Sequence, residues 1–222
     1  MTLPENYTVI HRDVKHARLR VTEDGTVLLF VPNKFTDEEV AKVIEMKAQW
    51  IASKQQYFKQ KGKILLKRNE LLLLGNRYAY FYSTRYKNKV VVNHESRTIQ
   101  ARRDLLDIAI QENWLKSIAS KYIHERVNEL STALLLPYNK LYIRSQKRKW
   151  GNCSADKNIS INWRIIKAPA FVIDYVITHE LCHTIIMKHT VKFETLLNSH
   201  CPDYKQARIW LEMYGNCLFS DT

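Results

Sequence analysis

Residues 175–189 read YVITHELCHTIIMKH, and within them His179, Glu180 and His183 stand in the order H-E-x-x-H. On a helix that spacing puts two imidazoles one turn apart on one face. A divalent metal held by them would lie beside Glu180, whose carboxylate could handle the proton of a water activated by the metal. With 8 histidines in 222 residues, chance would give about 0.02 such matches per chain, so composition does not account for the pattern.

Pro169 is placed to open this helix, and Phe171, Val172, Tyr175, Val176, Leu181, Ile185 and Ile186 cover nearly its whole circumference, which predicts a buried element. A single histidine on an apolar face is more often a hydrogen-bonded core residue. Two histidines and a glutamate inside one apolar helix all need partners, and one cation serves the three together. Cys182, on the same helix, reads as a small buried hydrophobe.

A catalytic metal takes three protein ligands and keeps one position for water. The third candidate is His189, which can return to the metal if the helix ends between Thr184 and Lys188. Glu194 and Asp203 compete with it as downstream carboxylates. Metzincins have the same histidine spacing with a glycine at the turn, where this chain has Ile186.

Working outward, Lys140 to Ser145 and Ile159 to Ile165 are strand candidates on either side of the irregular, basic QKRKWGNCSADKN. Trp150 and Trp163 read as core aromatics, while a strand edge next to the helix could pair with an extended peptide. Leu105, Ile108, Leu115, Ile118, Tyr122 and Leu130 mark one long helix or two consecutive ones ending before Pro137. Earlier, two hairpins are expected, one around Glu23-Asp24-Gly25 and one around Gly75-Asn76, with Val90 to Val92 and Thr98 to Ala101 extending the second. Thr36 and Glu39 fit a capping box for a helix running to about Tyr57. The fold class is therefore α+β, with a β-rich part over 1–103 containing one helix and a helical part with a small sheet over 104–222.

A formal net charge of +13 favours a polyanionic partner such as nucleic acid, or an acidic protein surface. Lys147, Arg148 and Lys149 form one basic cluster. Tyr78, Tyr80 and Tyr82 alternate on one strand, either as a half-buried sheet face or as a surface that stacks bases. No apolar run approaches the ~18 residues needed to span a bilayer, and the start lacks an apolar signal core, so a cytoplasmic location without membrane attachment is expected. The cysteines Cys153, Cys182, Cys201 and Cys217 form no C-x-x-C pair and read as reduced thiols. Nothing here specifies an oligomeric state.

The segments KWGNCS, NISINWRII, YVITHELCH, and His189 with Phe193 together resemble the YgjP-like metallopeptidase family, relatives of the SprT-like zinc proteases, over nearly the full chain. The resemblance implies a zincin-like catalytic part, His179, His183 and His189 as zinc ligands, Glu180 as the catalytic carboxylate, and a peptide or protein substrate. Met187-Lys188 and Glu194 stand where the family tends to have Pro-Asn and Trp. The SprT-like relationship also implies an alternative, a basic nucleic-acid-associated module that cleaves DNA-linked proteins.

Overall fold

In the computed structural model, which describes residues 6–219 apart from positions 23, 61 and 88, strands β1 (Tyr7–Arg12), β2 (Arg18–Val21) and β3 (Val27–Pro32) form the first sheet. β3 lies in the middle, antiparallel to β2 as the hairpin reading expects and parallel to β1. Glu23 of that hairpin turn and Lys61 of the basic run after the helix lie outside the described residues. Val27, Leu29 and Val31 alternate into the core because side chains two apart share a face.

Thr36 caps helix α1 (Asp37–Met46) by the expected capping box with Glu39. The single helix read as far as Tyr57 is in fact two, broken at Lys47 before α2 (Ala48–Gln60). Val40 from α1 and Ile51 from α2 are buried in separate small clusters, so the break lets each helix set its own apolar face. By contacts the chain divides into two units, Met1–Gly62 and Lys63–Thr222, and residue 103 falls inside the second.

The second unit begins with a four-stranded sheet in the order β4-β5-β7-β6, made of β4 (Glu70–Leu73), β5 (Asn76–Tyr82), β6 (Val90–Asn93) and β7 (Thr98–Ala101). The β4–β5 turn sits one residue earlier than the Gly75-Asn76 pair suggests: Leu74 (φ 48°) and Gly75 (φ 74°) are its two central residues and Asn76 already pairs with Leu73. Two positive φ angles match the twist of a two-residue hairpin. Tyr78 and Tyr80 point inward, their hydroxyls meeting His94 Nδ1 and the Arg103 carbonyl, while Tyr82 stays exposed. The half-buried sheet face is thus the correct account of the first two.

Helix α3 (Ile108–Leu134) is one continuous element, capped by Asp107 and closed at Leu135 in the left-handed conformation. A smaller sheet follows in the order β8-β10-β9, from β8 (Leu141–Arg144), β9 (Gly151–Cys153) and β10 (Ile159–Asn162). The stretch read as irregular therefore contains a three-residue edge strand. A 3-10 turn over Trp163–Lys167 leads through Pro169 into α4 (Ala170–Cys182), followed by α5 (Val191–His200) and α6 (Tyr204–Tyr214).

Val172, Ile173, Val176, Ile177 and Leu181 bury α4 against α3, α5, α6 and the small sheet. Arg126 of α3 holds Asp174 of α4 through two hydrogen bonds of 2.6 and 2.8 Å. The helix stops at Cys182, so Ile185 and Ile186, which continue its apolar pattern, lie beyond it and Ile185 is exposed. Among the described residues no helix is long and apolar enough to cross a membrane.

The N-terminus of α4 is positioned by the β4–β5 turn. Leu74 N–H donates to the Ile166 carbonyl and Gly75 N–H to that of Lys167, at 2.8 and 3.0 Å. A Cβ on Gly75 would come within 2.7–2.9 Å of Pro169, two of the three contacts being to backbone atoms. Gly75→Ala is expected to destabilise the fold by about 1–3 kcal/mol through the strained φ and this clash. The thermal unfolding midpoint should fall by several degrees, and an unchanged midpoint would refute the packing described.

Candidate metal centre

His179 and His183 face the same side of α4 because they are four residues apart. After Cys182 the backbone leaves the helix at His183 and turns through 184–188, with Ile185 and Ile186 N–H both donating to the Cys182 carbonyl. No residue of this turn has a positive φ, so Ile186 serves where a glycine would otherwise be required. Thr190 then caps α5 by accepting from Phe193 N–H. The turn brings His189 back beside the other two.

The three Nε2 atoms lie 3.1 Å (His179 to His183), 3.1 Å (His183 to His189) and 3.0 Å (His179 to His189) apart. Hydrogen bonding cannot satisfy such a triangle. Each Nε2 is either a donor or a lone pair, so at least two of the three are alike and repel. His183 is fixed further: its Nδ1 lies 3.0 Å from the Ile186 carbonyl, an acceptor only, so Nδ1 carries the proton and Nε2 presents its lone pair.

A cation at the centre removes the conflict by turning all three lone pairs towards itself. Tetrahedral coordination at ~2.0–2.1 Å sets neighbouring nitrogens ~3.4 Å apart, close to the observed triangle. Burial pushes His179 down to about 3, assisted by the neighbouring histidines, and lowers His183 as well, so both are neutral as ligands must be.

Phe193 ties the cluster together. Its ring stacks on His183 at 4.4 Å and meets His179 and His189 edge-on at 5.0 and 4.9 Å. The sequence signal for this role was its position four residues after His189, at the start of the next helix. Glu194 and Asp203, the competing carboxylates, are not part of the group; Glu194 instead lies 3.6 Å from Arg208.

Glu180 shares the cleft with the three histidines, rests against the small sheet, and is 6% exposed. Burial pushes its carboxyl up to about 8, opposed by the Lys149 ammonium. A cation held beside it favours the ionised form and offsets that burial. A Cβ on Gly151 would lie 2.5 Å from its Oε1 and Cγ, so the carboxylate rests directly on the glycine backbone of β9. Burial also raises the thiols of Cys182, to about 12, and Cys153, so neither supplies a thiolate and Cys182 is the packing residue it was read to be.

Strand β9 is an edge. Asn162 N–H donates to the Trp150 carbonyl and Ser154 N–H to that of Asn158, so residues 150, 152 and 154 direct their backbone groups to β10. By the alternation of an antiparallel ladder, those of Gly151 and Cys153 face outward. They border a cleft of 310 Å³ lined by Lys149, Asn152, Met187, Glu180 and the three histidines. A second compartment of 270 Å³ opens on the other side of Gly151, between Trp150, Tyr175 and Leu211. Lys149, Tyr175 and Met187 are thus cleft residues that sequence reasoning had assigned to a charge run, the core and a turn.

A family model described as "YgjP-like, metallopeptidase domain" matches residues 15–214, which include every residue of this site. Among solved structures, the chain is similar to the metallopeptidase zymogen of Methanocaldococcus jannaschii jannalysin, at 26% identity over 39% of this chain and 93% of that one, with a TM-score of 0.34. No curated protein matches the chain.

The purified chain should bind about one divalent ion. His183→Ala, which removes the imidazole whose tautomer is fixed, should lower that affinity by at least about 10²-fold. Metal analysis after dialysis against a weak chelator measures this, and equal retention by variant and parent would show that the triangle is not the metal site.

Proposed function

The chain belongs to the YgjP-like metallopeptidase family and is a metal-dependent hydrolase; from that premise we propose that its metal is zinc, held by His179, His183 and His189, and that Glu180 is its general base. The observation that carries this reading is the approach of three Nε2 atoms to within 3.1 Å beside a buried carboxylate. When bound, the metal supplies a lowered water pKa and polarises the scissile carbonyl.

The chain's own residues perform the remaining work. Glu180, seated on Gly151, accepts a proton from the attacking water and passes it to the leaving amine. The outward N–H and C=O groups of Gly151 and Cys153 pair with an extended peptide, adding it to the sheet as a further strand. Strand addition fixes the peptide by its backbone, so the scissile carbonyl is presented between the metal ligands and Glu180. A cytoplasmic location fits the cysteines, which form no disulfide among the described residues.

One observation favours a second, compatible reading in which the chain also contacts nucleic acid. β5 and β7 run parallel and end together at Tyr82 and Ala101, while β4 starts at the same end of the sheet. That end gathers the exposed cations Lys67, Arg68, Arg85, Lys89, Arg102 and Arg103 around exposed Tyr82, with Glu70 and Asp104 as neighbouring acids. Such a cluster suits a phosphate backbone and would keep a peptidase of SprT-like type near DNA-linked substrates. The wild-type chain should be retained on duplex DNA at low salt and released as salt rises, and Arg85→Glu with Arg103→Glu should weaken retention. No retention at low salt would discard this reading and leave the peptidase unaffected.

Glu180→Gln should reduce turnover by roughly 10²- to 10⁴-fold while metal content stays at the parent level, because the residue moves protons and holds no metal. Gly151→Ala should also keep the metal and lose roughly 10²-fold, since the methyl group displaces the carboxylate by about an ångström. Peptide hydrolysis and metal content measured on the same preparations test both. Full activity in Glu180→Gln would remove it from the mechanism.

A further inference from the structure

The two compartments of the cleft meet at Gly151 and Glu180, where the peptide reading places the scissile bond. Their walls differ in chemistry. Among the described residues that line it, the compartment with Cys153 and Met187 has Lys149 as its one lysine or arginine, at the shared rim. The other has Trp150, Tyr175, Val176 and Leu211 as walls and both Arg148 and Lys149 at its mouth.

We propose that this second compartment, of 270 Å³, receives the side chain that follows the scissile bond and selects an acidic one there. The inference rests on the peptidase reading and adds its substrate class. Direction comes from the strand: β9 runs from Gly151 to Cys153, and an antiparallel peptide, the better-bonded arrangement, passes Cys153 first and leaves over Gly151 towards Trp150. Residues before the scissile bond therefore meet Cys153 and Met187, and those after it meet Trp150, Arg148 and Lys149.

Charge selects because size does not, a compartment of this volume being wide enough for any single side chain. Arg148 and Lys149 are exposed and, among the described residues, neither lies within ion-pair distance of a carboxylate. Of the nearby acids, Glu194 pairs with Arg208, so the two together add no net charge, and Glu180 lines the compartment beside His179. A substrate carboxylate at the mouth would meet Arg148 and Lys149 while its methylenes lie along Trp150 and Leu211. A lysine there would face like charge.

The test uses the metal-loaded wild-type chain and a peptide mixture varied on both sides of the cleaved bond, with products identified by mass spectrometry. The expected result is a preference of roughly 3- to 10-fold in kcat/KM for Glu over Gln immediately after the cleaved bond, shrinking as salt is raised. The Arg148→Glu, Lys149→Glu double variant should prefer Lys at that position. Because the readout is a ratio within one preparation, a general loss of activity in the variant does not affect it, and Arg148→Glu alone should show a smaller change of the same sign.

Cleavage with no charge preference at that position, or a preference that survives the reversal, overturns the subsite and leaves the peptidase intact. An acidic preference before the cleaved bond overturns the assigned direction and the subsite with it. Cleavage of no peptide by the metal-loaded chain overturns the peptidase reading itself.

Discussion

Nitrogen lone pairs 3.0–3.1 Å apart repel unless a cation lies between them, so His179, His183 and His189 must be held together by packing until one arrives. Much of the second unit does this. The apolar circumference of α4 fixes two of the rings by burying the helix on three others. Phe193 braces all three at 4.4–5.0 Å, and the Ile186 carbonyl fixes one tautomer. A site preorganised in this way loses little conformational freedom when the metal binds, which favours affinity.

Most of the elements were legible because their signals are local. The capping box of Thr36 and Glu39, the periodicity of α3 and the alternation in β3 each lie within a few residues, and each formed. The parallel pairing of β1 with β3 and the three-residue β9 depend on partners distant in sequence, so neither left a local pattern. The β4–β5 turn slipped by one residue because Leu74 adopts a left-handed conformation that glycine or asparagine usually takes; docking of Leu74 and Gly75 on Ile166 and Lys167 compensates.

At the site, H-E-x-x-H placed His179 and Glu180 on the helix and His183 at its C-cap, but the apolar pattern extended that helix past its end. Ile185 and Ile186 continue the periodicity, yet the helix ends at Cys182, and the turn that follows returns His189 to the other two imidazoles. Hydrophobic spacing reports what can be buried, and it does not register where the chain must leave the helix. Tyr175 illustrates the same limit: 8% exposed, it counts as core, and still its ring borders the cleft.

Gly151 links substrate to chemistry. Its outward backbone groups belong to the free edge of β9, and its missing side chain is the space that Glu180 occupies. Under the proposed strand addition, one residue therefore offers backbone groups to the peptide and space to the carboxylate. A larger residue would push Glu180 off the strand, because Glu180 is carried by α4 and only rests against β9. A peptide added in this way follows β9 while Glu180 follows α4, so the packing of β9 on α4 fixes the distance between them and a displacement of either element would separate them.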